Sequence, residues 1–522
     1  MVAMAELPTP AAAELLPPPR SAPTPRSAPL PAIPQAIPQA MAPATAAGGI
    51  AASSLKVIVL DDDPTGSQTV HGCPLLLRWD AATLAAGLRH PSPLLFLLAN
   101  SRALAPEQAR LRLRQICAAL RSALAEARQQ GVIDRYVVVS RGDSTLRGHF
   151  PLELEVIAAE LGPFDASFLV PAFLEGGRTT VDGVHLLHGL PVHQSPFARD
   201  RLFGYGTSQL AGWVEEKSAG RIRSEQVQQI SLAELDQLQL ADPEASLRRR
   251  LAALGGNPLL VVDAERPAQL AAFGALVRQL VAAAPPRRFL FQSAASLLNG
   301  LVPLPPQPRG RRGLAELRRR GGGGLPLPGL VLVGSHVGLA DAQLAALLAQ
   351  PGCGGVELPV ARVHRVLEGP LPDRLLASLE QEWLERLQAL LAAGLTAVLY
   401  TSRGELACRH AAERRQLGQV LAAAMARVAA RLAPQLGYLI SKGGITSHTL
   451  LADGLGLASV GLMGQLLPGL SLVLPAAAAG GEPLDVALAE LPILTFPGNL
   501  GDETTLTQAW RLMQEASSGS GE

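Results

Sequence analysis

The feature that most constrains this chain is an apolar, strand-like run that leads directly into three carboxylates. Residues 57–60 read Val-Ile-Val-Leu, residues 61–63 are consecutive aspartates, and a Pro-Thr-Gly turn ends at Gly66. Strands buried on both faces of a parallel sheet read as continuous apolar runs, and open α/β sheets bind ligands at the carboxyl ends of their strands. The segment therefore predicts a parallel strand that delivers acidic groups to a ligand site. A solvated acidic loop is the alternative that this segment alone leaves open.

Apolar runs alternate with stretches of helical spacing along most of the chain, which is typical of parallel sheets covered by helices. We therefore expect an α/β fold made of two α/β domains, with mostly parallel sheets and a ligand cleft between them. The predicted strands are residues 93–99, 136–139, 166–170, 330–333, 395–400, 436–440 and 492–496, and the predicted helices are residues 106–130, 152–161 and 372–393.

Shifts in composition predict the domain boundaries. Residues 1–54 are rich in Pro and Ala, and we expect them to be disordered because they bury too little apolar surface to offset their ordering entropy. Residues 55–300 and 328–516 are the two expected domains. Residues 301–327 form a Pro-, Gly- and Arg-rich linker, and residues 517–522 are expected to be a disordered tail.

Charge and cysteine content argue against several classes of protein. The formal net charge of +1 gives no general attraction to nucleic acid or to an anionic membrane. Four scattered cysteines without a CxxC pair argue against a zinc ribbon or a disulfide framework and fit a reducing, cytoplasmic compartment. The acid-poor N-terminal tail leaves an organelle transit peptide open. The sequence contains no uninterrupted run of 18 or more apolar residues, so it predicts no membrane span.

In the first half, residues 140–149 carry the densest set of reactive groups after a predicted strand. Arg141 and Arg147 offer bidentate contacts to an anionic substrate, and Asp143 offers a carboxylate that can accept a proton from a hydroxyl. A helix cap beside a surface arginine pair is the alternative interpretation of the same residues.

Three nearby histidines, His185, His188 and His193, raise the question of a metal site. Their spacing straddles Gly189 and Pro191, so one helix face cannot present all three side chains. No acidic partner follows at regular spacing, and we therefore expect no metal to bind there.

In the second half, glycine-containing loops follow three predicted strands, at residues 334–336, 441–447 and 497–502. Glycines let backbone N–H groups approach phosphates, and a helix N-terminus adds a favourable partial charge. Lys442 offers a point charge to a phosphate. Neither GxxxxGK[ST] nor a GxGxxG after a strand is present. Each loop alone could be an ordinary turn, whereas three at successive strand ends favour a nucleotide.

Taken together, these motifs resemble the four-carbon acid sugar kinase family, whose members join an N-terminal acid-sugar-binding domain to a C-terminal nucleotide-binding domain. The likeness runs in order from about residue 55 to residue 516. The matching residues are 62–66, 100–102, 142–148, Ser335 with Gln343, 443–447 and 498–501.

The resemblance implies ATP-dependent phosphorylation of a hydroxyl on a four-carbon sugar acid of the threonate, erythronate or oxo-tetronate type. Mg²⁺ would bridge the oxygens of the triphosphate. The implied substrate-binding residues are Asp62, Asp63, Arg141 and Arg147. The implied ATP-binding residues are Ser335, Gly443, Gly444, Ile445, Thr446 and Gly501.

One carboxylate among Asp62, Asp63 and Asp143 is expected to orient or deprotonate the attacking hydroxyl, and we favour Asp62 or Asp63. Asp61 is expected to be structural. The expected partners are a sugar acid and ATP, without nucleic acid or membrane, and a homodimer is left open.

Two departures from the family pattern favour a rival interpretation. Phe496 stands where many members carry a lysine, and Ile445 stands where an acid is common. A non-catalytic sugar-acid sensor that kept the kinase fold is therefore one alternative. A nucleic-acid-binding protein that uses the arginines of residues 309–320 is another.

Overall fold

The computed structural model describes residues 55–515 except residues 68, 239–245, 336, 405–410, 478–484 and 487. The predictions made for residues 1–54, for residues 517–522 and for His336 lie outside the described residues. The described residues belong to one compact unit. None of the helices among them is long and apolar enough to cross a membrane.

The strands follow one another from β1 to β18 in chain order. They are β1 Leu55–Asp61, β2 Cys73–Leu76, β3 Leu94–Leu98, β4 Arg135–Arg141, β5 Ala166–Val170, β6 Arg178–Val181, β7 Val184–Leu187, β8 Leu190–Pro191, β9 Gln228–Ile230, β10 Leu259–Val262, β11 Phe289–Ser293, β12 Gly329–Val333, β13 Cys353–Leu358, β14 Thr396–Thr401, β15 Tyr438–Lys442, β16 Ser459–Leu467, β17 Leu470–Pro475 and β18 Ile493–Phe496.

The α-helices alternate with these strands. They are α1 Ala81–Arg89, α2 Pro106–Gln129, α3 Leu152–Leu161, α4 Leu210–Lys217, α5 Leu232–Leu238, α6 Ser246–Ala253, α7 Pro267–Ala282, α8 Ser296–Leu301, α9 Arg311–Ala315, α10 Gly338–Leu348, α11 Val360–Glu368, α12 Pro372–Ala392, α13 Ala411–Leu432, α14 Gly444–Thr449 and α15 Thr505–Glu515.

Fifteen of the described strands form one sheet in the order β13-β14-β12-β15-β18-β17-β16-β2-β3-β1-β4-β11-β5-β10-β9. The strands from β2 to β9 in this order are parallel, and so are those from β13 to β18. The antiparallel pairs β18–β17, β17–β16 and β16–β2 join the two parallel sets. The predicted α/β fold with mostly parallel strands is confirmed, whereas one continuous sheet through both halves was not predicted.

Strand β1 shows why its central residues 57–60 are all apolar. Val57 and Val59 face a core cluster that includes Phe96, while Ile58 packs into a second cluster that includes Ile116 of α2. Successive side chains of a strand point to opposite faces, so a strand covered on both faces needs an apolar residue at each position. The apolar run ends where β1 reaches the carboxyl edge, and the aspartates begin there.

The segment predicted as a linker is packed against the second half. Leu314 of α9 is fully buried. Arg318 donates to the carbonyl oxygen of Met513 at 3.1 Å, and Arg319 donates to that of Ala433 at 2.9 Å. Two of the arginines on which the nucleic-acid interpretation depends are therefore engaged in contacts inside the protein.

Candidate active site

Loops from both halves of the chain line one cavity of about 780 Å³. The first half contributes mainly charged and polar side chains, and the second half contributes mainly glycines and apolar side chains, together with Gln465 and Asn499. The charged lining residues are Asp63, Arg102, Arg141, Asp143, Arg147, Glu175, Arg178 and Asp200, and the lining glycines of the second half are Gly444, Gly469, Gly498 and Gly501.

Asp62 is buried behind the cavity wall and is paired with Arg102. Its side chain is 2% exposed, and both of its carboxylate oxygens accept hydrogen bonds from the Arg102 guanidinium, with Nε at 2.8 Å. Burial raises the pKa of Asp62 to about 6, although the charge of Arg102 acts in the opposite direction. Since both oxygens are occupied, Asp62 fixes the position of Arg102.

Asp63 lines the cavity at the boundary between the two halves. Its Oδ1 accepts a hydrogen bond from the backbone N–H of Thr65 at 2.8 Å, and its Oδ2 lies 3.4 Å from a guanidinium nitrogen of Arg102. A Cβ built on Gly444 would stand 2.8 Å from the same Oδ2. The carboxylate of Asp63 is thus held from one side and meets the second-half glycine loop on the other.

Asp61 is 1% exposed and does not belong to the cavity lining. Burial raises the pKa of Asp61 to about 8, against the charge of Arg141. The backbone N–H of Asp63 donates to Asp61 Oδ1 at 3.3 Å. The three adjacent aspartates therefore stand in three different environments.

Asp143 and Arg147 form an ion pair on the cavity wall, with Arg147 Nε donating to Asp143 Oδ2 at 2.7 Å. Burial opposes the charge of Asp143, but Arg147 and Arg102 outweigh it and hold the pKa of that carboxyl below its usual range. Arg147 also lies over the ring of Phe197 at 4.9 Å and 3.9 Å from a carboxylate oxygen of Asp200. Asp143 is consequently a strongly ionised carboxylate and a weak base.

Side chains outside the predicted set hold this wall from behind. His185 of β7 contacts the carbonyl oxygen of Ser144 through Nε2 at 2.8 Å, and Tyr205 donates to that of Thr145 at 2.7 Å. A carbonyl oxygen can only accept, so Nε2 of His185 carries the proton. Burial lowers the pKa of His185 to about 4, which keeps the ring neutral and its N–H in place.

The predicted nucleotide-binding residues lie around the glycine loops of the second half. Gly444 and Gly501 line the cavity. Ser335 lies between the other two loops: a Cβ built on Gly443 would be 3.5 Å from the Ser335 Cβ, and one built on Gly498 would be 2.9 Å from its Oγ.

Ile445 and Thr446, the other two predicted nucleotide-binding residues, differ from each other in exposure. Ile445 is 46% exposed and is not part of the lining, while Thr446 is 5% exposed and packs against Gly334. The structure brings Ser335, Gly443 and Gly444 together with the lining loop that contains Gly501.

Lys442 precedes this loop and is fully buried. Its Nζ donates to the carbonyl oxygens of Pro497 at 3.1 Å and Gly498 at 3.2 Å, and it lies 4.1 Å from the ring centroid of Phe496. Burial lowers the pKa of Lys442 to about 7. The side chain holds the last glycine loop, and its predicted contact with a phosphate stays a prediction.

Several residues near the predicted site were missed by the sequence interpretation. Arg102 was quoted only as part of a motif, and Arg178 was not among the predicted site residues, yet both line the cavity. Arg403 donates to the carbonyl oxygen of Ser335 at 2.6 Å and to Asp341 at 2.9 Å. The available sequence signal for Arg102 was its position just after a predicted strand. The contacts of Arg403 with Ser335 and Asp341 join residues far apart in the sequence, and no local pattern indicates them.

The three histidines considered as metal ligands have separate surroundings. His185 is bound as described above, His188 lines the cavity, and His193 contacts Ser208 Oγ at 2.8 Å. Within the described ranges, one group of three potential ligands meets the distance criterion for a metal site: His364, Glu368 and Glu413. None of these three lines the cavity.

Each half of the chain matches a known protein family model. Residues 57–301 match the family model described as a sugar-binding N-terminal domain, and residues 330–506 match the one described as a nucleotide-binding C-terminal domain. A D-threonate kinase from Cupriavidus necator is 27% identical over 477 residues, which are 88% of this chain and 98% of that protein. The chain belongs to the four-carbon acid sugar kinase family.

Two further relatives support the same family assignment. A D-threonate kinase from Salmonella typhimurium is 25% identical over 476 residues, covering 88% of this chain and 99% of that protein. A D-erythronate kinase from Heliobacterium modesticaldum is 32% identical over 153 residues, and this match spans 28% of this chain and 32% of that protein. The predicted family is confirmed by these matches.

Two solved structures share the fold of this family member. A protein from Salmonella typhimurium superposes with a TM-score of 0.58 at 18% identity, covering 88% of this chain and 99% of that one. A Haemophilus influenzae protein gives a TM-score of 0.53 at 14% identity, covering 87% and 100%. The division into two domains, the compartment and a homodimer stay predictions.

Proposed function

We propose that this protein is an ATP-dependent kinase that phosphorylates a hydroxyl of a four-carbon sugar acid of the threonate, erythronate or oxo-tetronate type. The observation that carries the proposal is the contact of Asp63, from the sugar-binding half, with Gly444, from the nucleotide-binding half. A kinase must bring a hydroxyl and a γ-phosphate into line, and this contact is where the two halves meet inside one cavity.

The charged half of the cavity receives the sugar acid in this proposal. Arg141 and Arg147, which the family resemblance implied as substrate-binding, are two of the four arginines that line this half, and a guanidinium can bind a carboxylate through two parallel hydrogen bonds. The sugar hydroxyl that reacts would then lie toward Asp63 and the glycine loops.

Asp63 is the carboxylate best placed to orient or deprotonate that hydroxyl. It lines the cavity, whereas Asp62 has both oxygens on Arg102 and is a positioning residue. Asp143 also lines the cavity, but its lowered pKa makes it a weak proton acceptor. These differences favour Asp63 over Asp62 and Asp143 as the group that orients or deprotonates the hydroxyl.

The glycine loops of the second half receive the triphosphate in this proposal. Gly444, Gly498 and Gly501 present backbone close to the cavity, where no side chain separates a phosphate from the N–H groups. Lys442 holds the loop at Pro497 and Gly498 and so fixes the position of those N–H groups.

The proposed site also suits Mg²⁺, which needs few ligands from the protein itself. Proteins usually bind Mg²⁺ through one or two carboxylates together with substrate phosphates, and Asp63 Oδ2 lies at the glycine loop where those phosphates would be. When bound, the ion would neutralise charge on the transferring phosphoryl group. Asp63 would hold it, and the glycine loop would orient the phosphates around it.

Release of ADP with a panel of four-carbon sugar acids tests the proposal. We expect ATP- and acid-dependent ADP release with at least one acid, and little with the corresponding neutral alditols. The sensor alternative predicts tight binding of an acid without turnover across the panel, and that result would overturn the kinase proposal.

A further inference from the structure

Two of the four arginines that line the cavity are already paired with carboxylates of the protein. Arg102 is bound to Asp62 and Asp63, and Arg147 is bound to Asp143. A guanidinium whose charge is offset in this way attracts a further anion less strongly than an unpaired one. These two arginines therefore position the protein's own carboxylates.

Arg141 is the third lining arginine, and its side chain is more deeply buried than that of Arg178. Its side chain is 4% exposed and donates to the carbonyl oxygen of Gly142 at 3.1 Å, and its Nε, like that of Arg178, has no acceptor among the described atoms. After burial, Arg141 has the largest influence on the pKa of Asp61 and lowers it, so its charge acts on the buried acidic turn.

Arg178 of β6 differs from Arg102 and Arg147 because it has no carboxylate partner among the described residues, and from Arg141 because its side chain is less deeply buried. No carboxylate among the described residues lies within ion-pair distance of it, and no described atom accepts a hydrogen bond from its buried Nε. Burial lowers its pKa, while Asp143 and Arg147 act on it only through their charges. A buried donor on an unpaired cation is costly unless a ligand completes it.

The local structure holds Arg178 in this position. Its guanidinium lies 5.7 Å from the ring centroid of Phe173, and one of its terminal nitrogens donates to the carbonyl oxygen of Gly176. A Cβ on Gly176 would collide with both the guanidinium and the Phe173 ring, so a glycine is needed there. The turn before β6 is therefore shaped around the arginine.

We propose that Arg178 is the specificity-determining residue that binds the carboxylate of the sugar acid. This inference rests on the proposed function, since it names the group that selects an acid over a neutral sugar at the same site. A carboxylate would offer acceptors to Nε and to a terminal nitrogen together, which satisfies the buried donor and balances the charge. Arg147 then acts on the substrate through Asp143, and Arg141 through the acidic turn.

The test compares a charged and a neutral substrate in three variants: Arg178→Gln, Arg178→Lys and Arg199→Gln. The substrates are the four-carbon acid that wild type uses best and its primary amide, which has the same hydroxyls without the charge. The readouts are KM and kcat for each and, independently of turnover, the Kd of each by calorimetry. Arg199 is the matched control because it is an exposed arginine of the same half that lies outside the cavity lining.

In wild type we expect the acid to bind roughly 10- to 100-fold more tightly than the amide, as a charge-assisted pair would give. Arg178→Gln should remove most of that preference through KM and Kd while kcat and the KM for ATP stay near wild type. Arg178→Lys should keep part of it, and Arg199→Gln all of it. Unchanged discrimination in Arg178→Gln, or a wild type that binds acid and amide equally, overturns the inference. Binding of the acid without ADP release overturns the proposed function instead, and the Kd values still decide the role of Arg178.

Discussion

The Oδ2 atom of Asp63 lies against the backbone of Gly444, and a Cβ built on Gly444 would stand 2.8 Å from it. The two residues are 381 positions apart in the sequence and belong to the sugar-binding and nucleotide-binding halves respectively. Their contact places a carboxylate of one half beside a glycine loop of the other, which is the arrangement that transfer of a phosphoryl group between two bound molecules requires.

Replacement of Asp63 by asparagine should abolish catalysis without unfolding the protein. Asparagine keeps the acceptor for Thr65 but offers no negative charge to Mg²⁺ and cannot take a proton, so we expect kcat to fall by about 10²- to 10⁴-fold. The measurement is ADP release at saturating ATP and acid, with circular dichroism to check the fold. Asp134→Asn, on the surface, is the control. Turnover within a few-fold of wild type would exclude Asp63 as the base.

Replacement of Asp62 by asparagine should act differently, because Asp62 fixes Arg102. Asparagine offers one acceptor oxygen where the carboxylate offers two, and Arg102 also contacts Asp63. We expect a loss of kcat together with a lower Tm. The contrast with Asp63→Asn, where stability is kept, separates a positioning role from a direct one. An Asp62→Asn protein with wild-type Tm and kcat contradicts this account.

Gly444→Ala should impair activity because its Cβ would push the Asp63 carboxylate away. We expect kcat to fall by at least about tenfold, since small displacements of reacting groups are costly. Gly338→Ala is the matched control: it lies in the same half, and a Cβ there would meet no atom within 4 Å. Equal activity of the two alanine variants would show that the Asp63–Gly444 contact has no catalytic consequence.

The buried lysine gives a prediction for stability. The pKa of Lys442 is about 7 in the folded protein and 10.5 for an ordinary lysine. Between these values the unfolded chain binds more protons than the folded one, so wild type gains stability as pH rises from about 7 to 10.5. Lys442→Met removes this group. The unfolding free energy of the variant should compare most favourably with that of wild type at or below pH 7, and the difference should shrink toward pH 10. Urea unfolding of both proteins across this range checks the prediction, and a pH-independent difference in unfolding free energy would contradict it.

The sequence predicted regular elements best where a long or uniform pattern was available. Strand β5 and helix α3 have the predicted bounds, and the predicted family is confirmed. Strand β16 was missed because glycines interrupt its apolar pattern, and so was the antiparallel connection to β2 that makes one sheet of the two halves.

The candidate site was less accessible to sequence reasoning. The strand ends were found because parallel sheets place ligands there. Arg102 and Asp62 are 40 positions apart in the sequence and meet because strands β1 and β3 are neighbours in the sheet. No local sequence pattern encodes which strands become neighbours. The different environments of Asp61, Asp62 and Asp63 follow from burial and from partners that only the fold supplies.

Transfer of the γ-phosphoryl group of ATP to a sugar acid is the central claim, and phosphorus NMR of the reaction mixture tests it most directly. Wild type with ATP, Mg²⁺ and a four-carbon sugar acid should give ADP and an equal amount of a new phosphomonoester signal, and Asp63→Asn should give neither. ADP accompanied only by inorganic phosphate, or an unchanged ATP spectrum with every acid tested, would contradict the account.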